Sequence, residues 1–292
     1  MVKYSAAGGF FLGPCGAGPL TDHHAIRRFP ASLMKPILLS LLASLSLPAL
    51  SSCGEKPEAP AAGDSKPAAA PGTAAKAWTV SDWTEWKKQD TGDGEGVTIV
   101  KEIPETNPPV PDKRPPLSEE AAKAGVLVLG KGQMLTAVRY EGKHPLPLTD
   151  YEISWQGMRL EGRDFFASMT FPFGSEKTCG TFVTGGWGGW TTGITALGHQ
   201  YANENDTTGS TEFVTGRWYE FTLQVTKECL RGLIDGKEQF KVAVQGRTVS
   251  MHHSEIQKCM PLGFASYDTK GAIRNVRIRP LKAGELVPPT DE

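Results

Sequence analysis

The chain has 292 residues, with 31 basic and 32 acidic side chains, and is 39% hydrophobic and 22% charged. This leaves room for one ample globular domain with extensions, or two domains at most. A formal net charge of -1 excludes the global basic field that sequence-independent binding to nucleic acid requires, and no nucleic-acid partner is expected. The 33 glycines and 22 prolines speak against a helical protein and for many short strands joined by turns.

The only long apolar run is 37–50 (ILLSLLASLSLPAL), shorter than the roughly 20 residues that span a bilayer. Lys35 precedes it, Arg27 and Arg28 lie upstream, and it closes on Leu50-Ser51-Ser52-Cys53, small residues ahead of a cysteine. This resembles the bacterial lipobox, in which the cysteine is acylated and becomes the new N-terminus. Residues 34–52 therefore read as a lipoprotein signal peptide with Cys53 as the lipidation site; an ordinary cleaved signal is the alternative. Met34 begins that signal, so 1–33 read as a mis-called start or extension. Residues 53–76 are rich in Ala, Pro and Gly and carry no aromatic, too little apolar surface to offset chain entropy. They read as a semi-extended tether. The expected location is the periplasmic side of a membrane or the cell surface, with the bilayer as a partner through acylated Cys53.

Residues 77–292 read as a single domain. Tyr151, Ile153 and Trp155 alternate in DYEISWQ, as do Phe165, Ala167, Met169 and Phe171 in FFASMTF, the period of a half-buried strand. In RWYEFTLQV, Tyr219, Phe221, Leu223 and Val225 share one face, and Trp218, Glu220, Thr222 and Gln224 the other. Further strands are predicted at Val126–Leu129, Met134–Arg139, Thr181–Thr184, Thr192–Leu197, Leu230–Ile234, Phe240–Val244, Leu262–Tyr267 and Ile273–Ile278. Asp235-Gly236 predicts a tight hairpin turn. Residues 101–122 are proline-rich and charged and predict a loop or irregular crossing strand, with at most one helical turn at Ser118–Ala124. The fold class is all-β, an antiparallel β-sandwich.

The strand order ends with GRWYEFTLQV, LRGLIDGKE, PLGFASY and GAIRNVRIRPL. Together these look like the C-terminal half of the concanavalin A-like jelly-roll sandwiches. Over residues 78–282 the chain most resembles the 3-keto-disaccharide hydrolase domain family, related in fold to laminin-G-like modules and to glycoside hydrolase family 16. The resemblance implies a glycan-related, exported protein. The Glu-x-Asp-x-x-Glu strand of family 16 is absent, and FFASMTF lacks the asparagine of the hydrolase family's central strand. Two functions follow: a glycoside hydrolase of the 3-keto-disaccharide type, implied by resemblance alone, or a non-catalytic laminin-G-like module that binds a glycan or envelope partner.

Glycoside cleavage needs two carboxyl groups, roughly 5–5.5 Å apart for retention or 6.5–9.5 Å for inversion. Glu161 with Asp164 and Glu204 with Asp206 are the sequence-local pairs, and Glu204 and Asp164 are the catalytic candidates; solvated turn carboxylates are the alternative. In Gly185-Gly186-Trp187-Gly188-Gly189-Trp190, four glycines surround two indoles and leave their faces bare for stacking on sugar rings, unless they plug the core. Arg163, Asn203, Asn205, Asp206 and His199 are the accompanying polar candidates. Arg274, Arg277 and Arg279 read as charges protecting a sheet edge. Cys179, Cys229 and Cys259 fit buried thiols or one disulfide, and their spacing suits no zinc site. The glycine-spaced acids Asp90, Asp93 and Glu95 read as a flexible acidic turn. No cofactor or resident metal is expected.

Overall fold

A computed structural model describes residues 76–286 and 288, apart from 93, 113 and 134. Residues 1–75, on which the expected extension, signal peptide, Cys53 lipidation site and nearly all of the expected tether fall, lie outside the described residues, as do Asp93 and Met134. Among the described residues no helix is long and apolar enough to cross a membrane.

The strands are β1 (Trp78–Thr79), β2 (Trp86–Lys88), β3 (Val97–Val100), β4 (Val126–Leu129), β5 (Leu135–Tyr140), β6 (Tyr151–Gly162), β7 (Ser168–Phe173) and β8 (Ser175–Gly185). They continue with β9 (Thr191–Thr195), β10 (Gly209–Ser210), β11 (Trp218–Val225), β12 (Cys229–Ile234), β13 (Lys237–Ala243), β14 (Gly263–Tyr267) and β15 (Thr269–Pro280). The first sheet has the order β13-β12-β11-β6-β15-β4-β3, with β1 also paired to β15; the second has the order β10-β9-β8-β7-β14-β5-β2. The pairings are antiparallel, and the two sheets form the expected jelly-roll sandwich.

Alternation builds the interior. Tyr219, Phe221, Leu223 and Val225 of β11 and Tyr151, Ile153 and Trp155 of β6 turn inward as predicted. Trp155 joins the layers: its ring stacks on Phe221 at 5.4 Å and meets Phe182 and Phe264 of the opposite sheet at 5.8 and 5.9 Å. Its Nε1–H donates to Ala167 O at 3.0 Å, so the buried indole leaves no unpaired donor. Asp235 (φ 50) and Gly236 (φ 75) form the predicted two-residue hairpin turn. The predicted helical turn is α1 (Glu119–Ala124), capped by Ser118 Oγ accepting from the Ala121 N–H.

Three expectations change. Phe165 does not join the core: β7 begins only at Ser168, Phe166 and Ala167 both pack inside, and Phe165 is left on the second sheet's outer side against Tyr267. The arginines of β15 guard no edge, because β15 lies between β6 and β4; Arg277 pairs with Glu220, Arg279 pairs with Glu152, and Arg274 covers the Trp218 ring at 4.1 Å. The strands β1, β2, β3 and β10 were not predicted; they are two to four residues long, too short for a period to register. Of the two cysteine readings, Cys179, Cys229 and Cys259 are buried free thiols.

Each outer face carries an apolar patch and a segment that covers it. On the first sheet, Val126, Val128, Met158, Trp218 and Ala272 lie beneath Ile103 of the proline-rich 101–118 strap. Arg114 and Glu105 of that strap form a two-pronged ion pair at 2.9 and 2.7 Å. The same two side chains clasp both backbone groups of Trp218, Arg114 donating to its carbonyl and Glu105 accepting its N–H, each at 2.8 Å. On the second sheet, Leu135, Ala137, Cys179 and Ala265 lie beneath Met251, Ile256 and Cys259 of a 249–260 strap. Burial there pushes the Cys179 and Cys259 thiols up to about 12.

Beyond its strap the first sheet's outer face is polar. The Glu220 side chain is only 8% exposed, and burial, outweighing the opposing charge of Arg277, pushes its carboxyl from 4.5 up to about 7. The folded state then binds this proton more tightly than the unfolded state. Its contribution is fully present below about pH 4.5 and is lost as pH rises toward about 7, a change on the order of 3 kcal/mol. Denaturant unfolding of wild type and Glu220→Gln across this window is expected to show stability falling with pH more steeply in wild type; equal slopes would contradict the assignment.

Candidate functional site

The site forms where β8 gives way to β9. The chain reverses through Gly185 (φ 84), Gly186, Trp187 (φ 49), Gly188 (φ 88) and Gly189 (φ 101). Glycine adopts left-handed backbone freely, whereas a bulky residue at φ 49 is strained on the order of 1–3 kcal/mol and stays there only where its surroundings fix it. At Gly189 the constraint is also spatial, since a Cβ would lie 2.7 Å from Arg163 O.

Two side chains fix the turn. Arg159, buried on β6, donates from Nη2 to Gly189 O at 2.8 Å and lies 5.2 and 5.8 Å from the centres of the Phe166 and Phe213 rings. Asp164 accepts the Gly188 N–H at 3.1 Å on Oδ2 and the Phe165 N–H at 2.8 Å on Oδ1. Its own N–H donates to Thr269 Oγ1 at 2.8 Å, which ties the corner to β15. The turn so held leaves Trp187 45% and Trp190 52% exposed, so neither indole plugs the core.

Trp187 stands over a pocket of about 430 Å³ on the outer side of the second sheet, beside the 249–260 strap. Phe165, Tyr267, Leu135, Val183 and Ile256 supply apolar walls, with the Phe165 and Tyr267 rings 5.9 Å apart. Thr181 and Thr195, paired across β8 and β9, are buried in its floor, the Thr181 hydroxyl bonded to that of Thr170 at 3.3 Å and the Thr195 hydroxyl accepting the Ala202 N–H at 2.8 Å, and Asp164, His252, Ser254 and Glu255 complete the polar lining. Burial raises the Asp164 carboxyl above its usual range despite its two N–H donors and the charge of Arg159. Glu255 pairs with Lys258. The volume and the mixture of aromatic walls with a few polar groups suit a small polar ligand with apolar faces.

Of the sequence candidates, Asp164 and Trp187 come together in this pocket. Glu204 does not join them: it is exposed in the 201–208 loop and does not line the pocket. That loop abuts the site through Tyr201, whose ring lies 4.4 Å from that of His252, and through Ala202, whose N–H donates to Thr195 Oγ1 at 2.8 Å. Asn205 is buried and spent on the loop itself: Nδ2 donates to Ile194 O, Gln200 O and Tyr201 O at 2.8–3.0 Å, and Oδ1 accepts from the Thr207 N–H and hydroxyl. It has nothing left to offer a ligand. Asp206 pairs with Arg247 at 2.7 Å, which holds its carboxyl below the usual range. Glu161 pairs with Lys131 at 3.5 Å. Arg163, His199, Asn203 and Trp190 are exposed outside the pocket lining.

Sequence reasoning missed Arg159, Phe165, Tyr267, His252, Glu255 and the two threonines. One signal was available: Arg159 continues the inward parity of Tyr151, Ile153 and Trp155, and a charged side chain at such a position marks a task other than packing.

No family model matches the sequence, and none of the curated proteins compared matches it. Solved structures give likenesses at low identity. Crh5 transglycosylase in complex with NAG aligns at TM-score 0.46 and 12% identity over 73% of this chain and 87% of its own. Domain 4 of AbnA, a GH43 extracellular arabinanase from Geobacillus stearothermophilus in complex with arabinotriose, aligns at 0.41 and 14% over 73% and 97%. A protein of unknown function with a galectin-like fold from Bacillus subtilis aligns at 0.41 and 9% over 71% and 97%. Likenesses of this order carry no information on ligand or chemistry.

Proposed function

We propose that this protein is an exported, lipid-anchored carbohydrate-binding protein whose ligand seats against Trp187 in the pocket formed with Phe165 and Tyr267. The observation that carries the reading is the strained, half-exposed Trp187: a buried arginine and an aspartate hold an indole where it covers no core. Sugar rings present C–H patches that stack on aromatic faces and hydroxyls that pair with groups such as His252, Ser254 and Asp164. The resemblance of residues 78–282 to glycan-directed sandwiches supports the same ligand class. Acylation of Cys53 would hold the domain at a membrane surface, each buried methylene contributing about 0.8 kcal/mol.

The decisive substitution is Trp187→Ala. Isothermal titration with disaccharides, 3-keto-glycosides and β-glucan oligosaccharides is expected to show saturable binding to wild type. The variant should bind about 1–3 kcal/mol more weakly with little change in thermal midpoint. Unchanged affinity would remove Trp187 from the site, and the absence of any binding by wild type would remove the function.

One observation favours a hydrolytic version of the same reading: two carboxyl groups, Asp164 and Glu255, line the pocket beside an exposed tryptophan. Burial keeps the Asp164 proton to higher pH, as a general acid requires, while Glu255 would serve as base or nucleophile. On this version Asp164→Asn lowers turnover of 3-keto-glycosides by about 10²–10⁴, beyond the loss of affinity expected because the Asn amide can accept only one of the two N–H groups that fix the turn. Turnover untouched by the substitution would exclude Asp164 from the chemistry.

A further inference from the structure

The polar region of the first sheet's outer face contains a trough of about 1100 Å³, on the opposite sheet from the Trp187 pocket. Its floor is set by register. Ser154 of β6 lies between Arg277 of β15 and Thr222 of β11, and in the next outward row Glu152 lies between Arg279 and Gln224. The short Ser154 and Thr222 side chains leave a depression among longer neighbours. It is bounded by two carboxylate–guanidinium pairs, Glu220 with Arg277 and Glu152 with Arg279, the latter at 2.9 Å. Arg114 and Pro115 of the 101–118 strap form one wall.

The Glu220–Arg277 pair is incompletely satisfied. Among the described residues, Glu220 Oε2 and Arg277 Nε are buried without a hydrogen-bond partner, although both residues line the trough. A carboxylate oxygen needs a donor and a guanidinium N–H needs an acceptor. Both atoms are closed to water in the structure, so a ligand group reaches them by displacing their cover; a hydroxyl then supplies both needs, whereas a carboxylate group has no proton to give Oε2 and an ammonium has no lone pair for Nε. Above about pH 7, where Glu220 is ionised, the lining is also balanced in charge, with Glu120, Glu152, Glu220 and Asp235 against Arg114, Lys237, Arg277 and Arg279. Neither sign of ligand is favoured, which directs the site toward a neutral one.

We propose that this trough is a second binding site, for a neutral hydroxyl-rich saccharide seated over Ser154 and Thr222 between the two ion pairs. It rests on observations independent of the Trp187 pocket. Because the two sites lie on opposite sheets, one chain would bridge two glycan strands.

The test uses the full chain carrying Trp187→Ala, which disables the first pocket. It is titrated calorimetrically with cellotetraose, xylotetraose, maltotetraose and chitotetraose, and with tetragalacturonate and a tetrameric chitosan as charged comparators. At least one neutral tetrasaccharide is expected to bind saturably, and the charged ones at least about tenfold more weakly. Adding Thr222→Trp, which fills the depression, or Glu220→Gln, which keeps the shape and removes the charge, is expected to weaken that binding by about tenfold or more. Thr222→Trp on its own should leave binding at the Trp187 pocket intact, which separates this site from the first and shows that the substituted chain folds. No binding to the Trp187→Ala chain, stronger binding of a charged comparator, or affinity unmoved by both second substitutions would overturn the proposal.

Discussion

A two-layer sandwich has two outer faces, and in this chain neither can be left to water alone. Val126, Val128, Met158, Trp218 and Ala272 make one outer face apolar in part, and Leu135, Ala137, Cys179 and Ala265 do the same to the other. Apolar area of this size must be covered. Each face meets the requirement with an irregular strap, 101–118 on the first sheet and 249–260 on the second. A strap that covers part of a sheet creates a step at its margin, and both pockets lie at such steps: Arg114 and Pro115 wall one, Ser254, Glu255 and Ile256 the other. The binding geometry is thus a consequence of how the faces are covered.

The two margins differ chemically because the strands beneath them differ. On the second sheet, Thr181, Val183 and Thr195 offer a mixed floor, and the Gly185–Trp190 turn adds an indole from above. Preorganisation is strong here: Arg159 and Asp164 hold the turn from opposite sides, so Trp187 need not be ordered when a ligand arrives. On the first sheet the floor is a lattice of carboxylates, guanidinium groups and small hydroxyls, and its polarity carries a penalty that appears in the raised Glu220 carboxyl.

Legibility in the sequence followed strand length and parity. The alternating strand β11, the first half of β6, the Asp235-Gly236 turn and the helical turn at Ser118–Ala124 were readable, because each depends on local chemistry. The glycine-flanked Trp187 and the neighbouring Asp164 were readable as a bare indole and a rim carboxylate. Which residues join them was not. Phe165 and Tyr267 are 102 positions apart and meet only because β7 and β14 pair, and His252 arrives on a strap whose course no periodicity records. Asn205 shows the converse: a polar residue in a polar loop reads as available to a ligand, yet its hydrogen bonds are consumed locally. The β15 arginines were misplaced for a related reason, since strand order decides what is an edge and alternation is silent on it.

The most direct test follows the indole N–H signals of the seven tryptophans by NMR while a neutral oligosaccharide is added to the wild-type chain. The account expects the Trp187 signal to move and saturate while those of the buried Trp155 and Trp218 stay in place. In the chain carrying Thr222→Trp, whose trough on the other sheet is filled, a saccharide that binds and leaves the Trp187 signal where it was would contradict it.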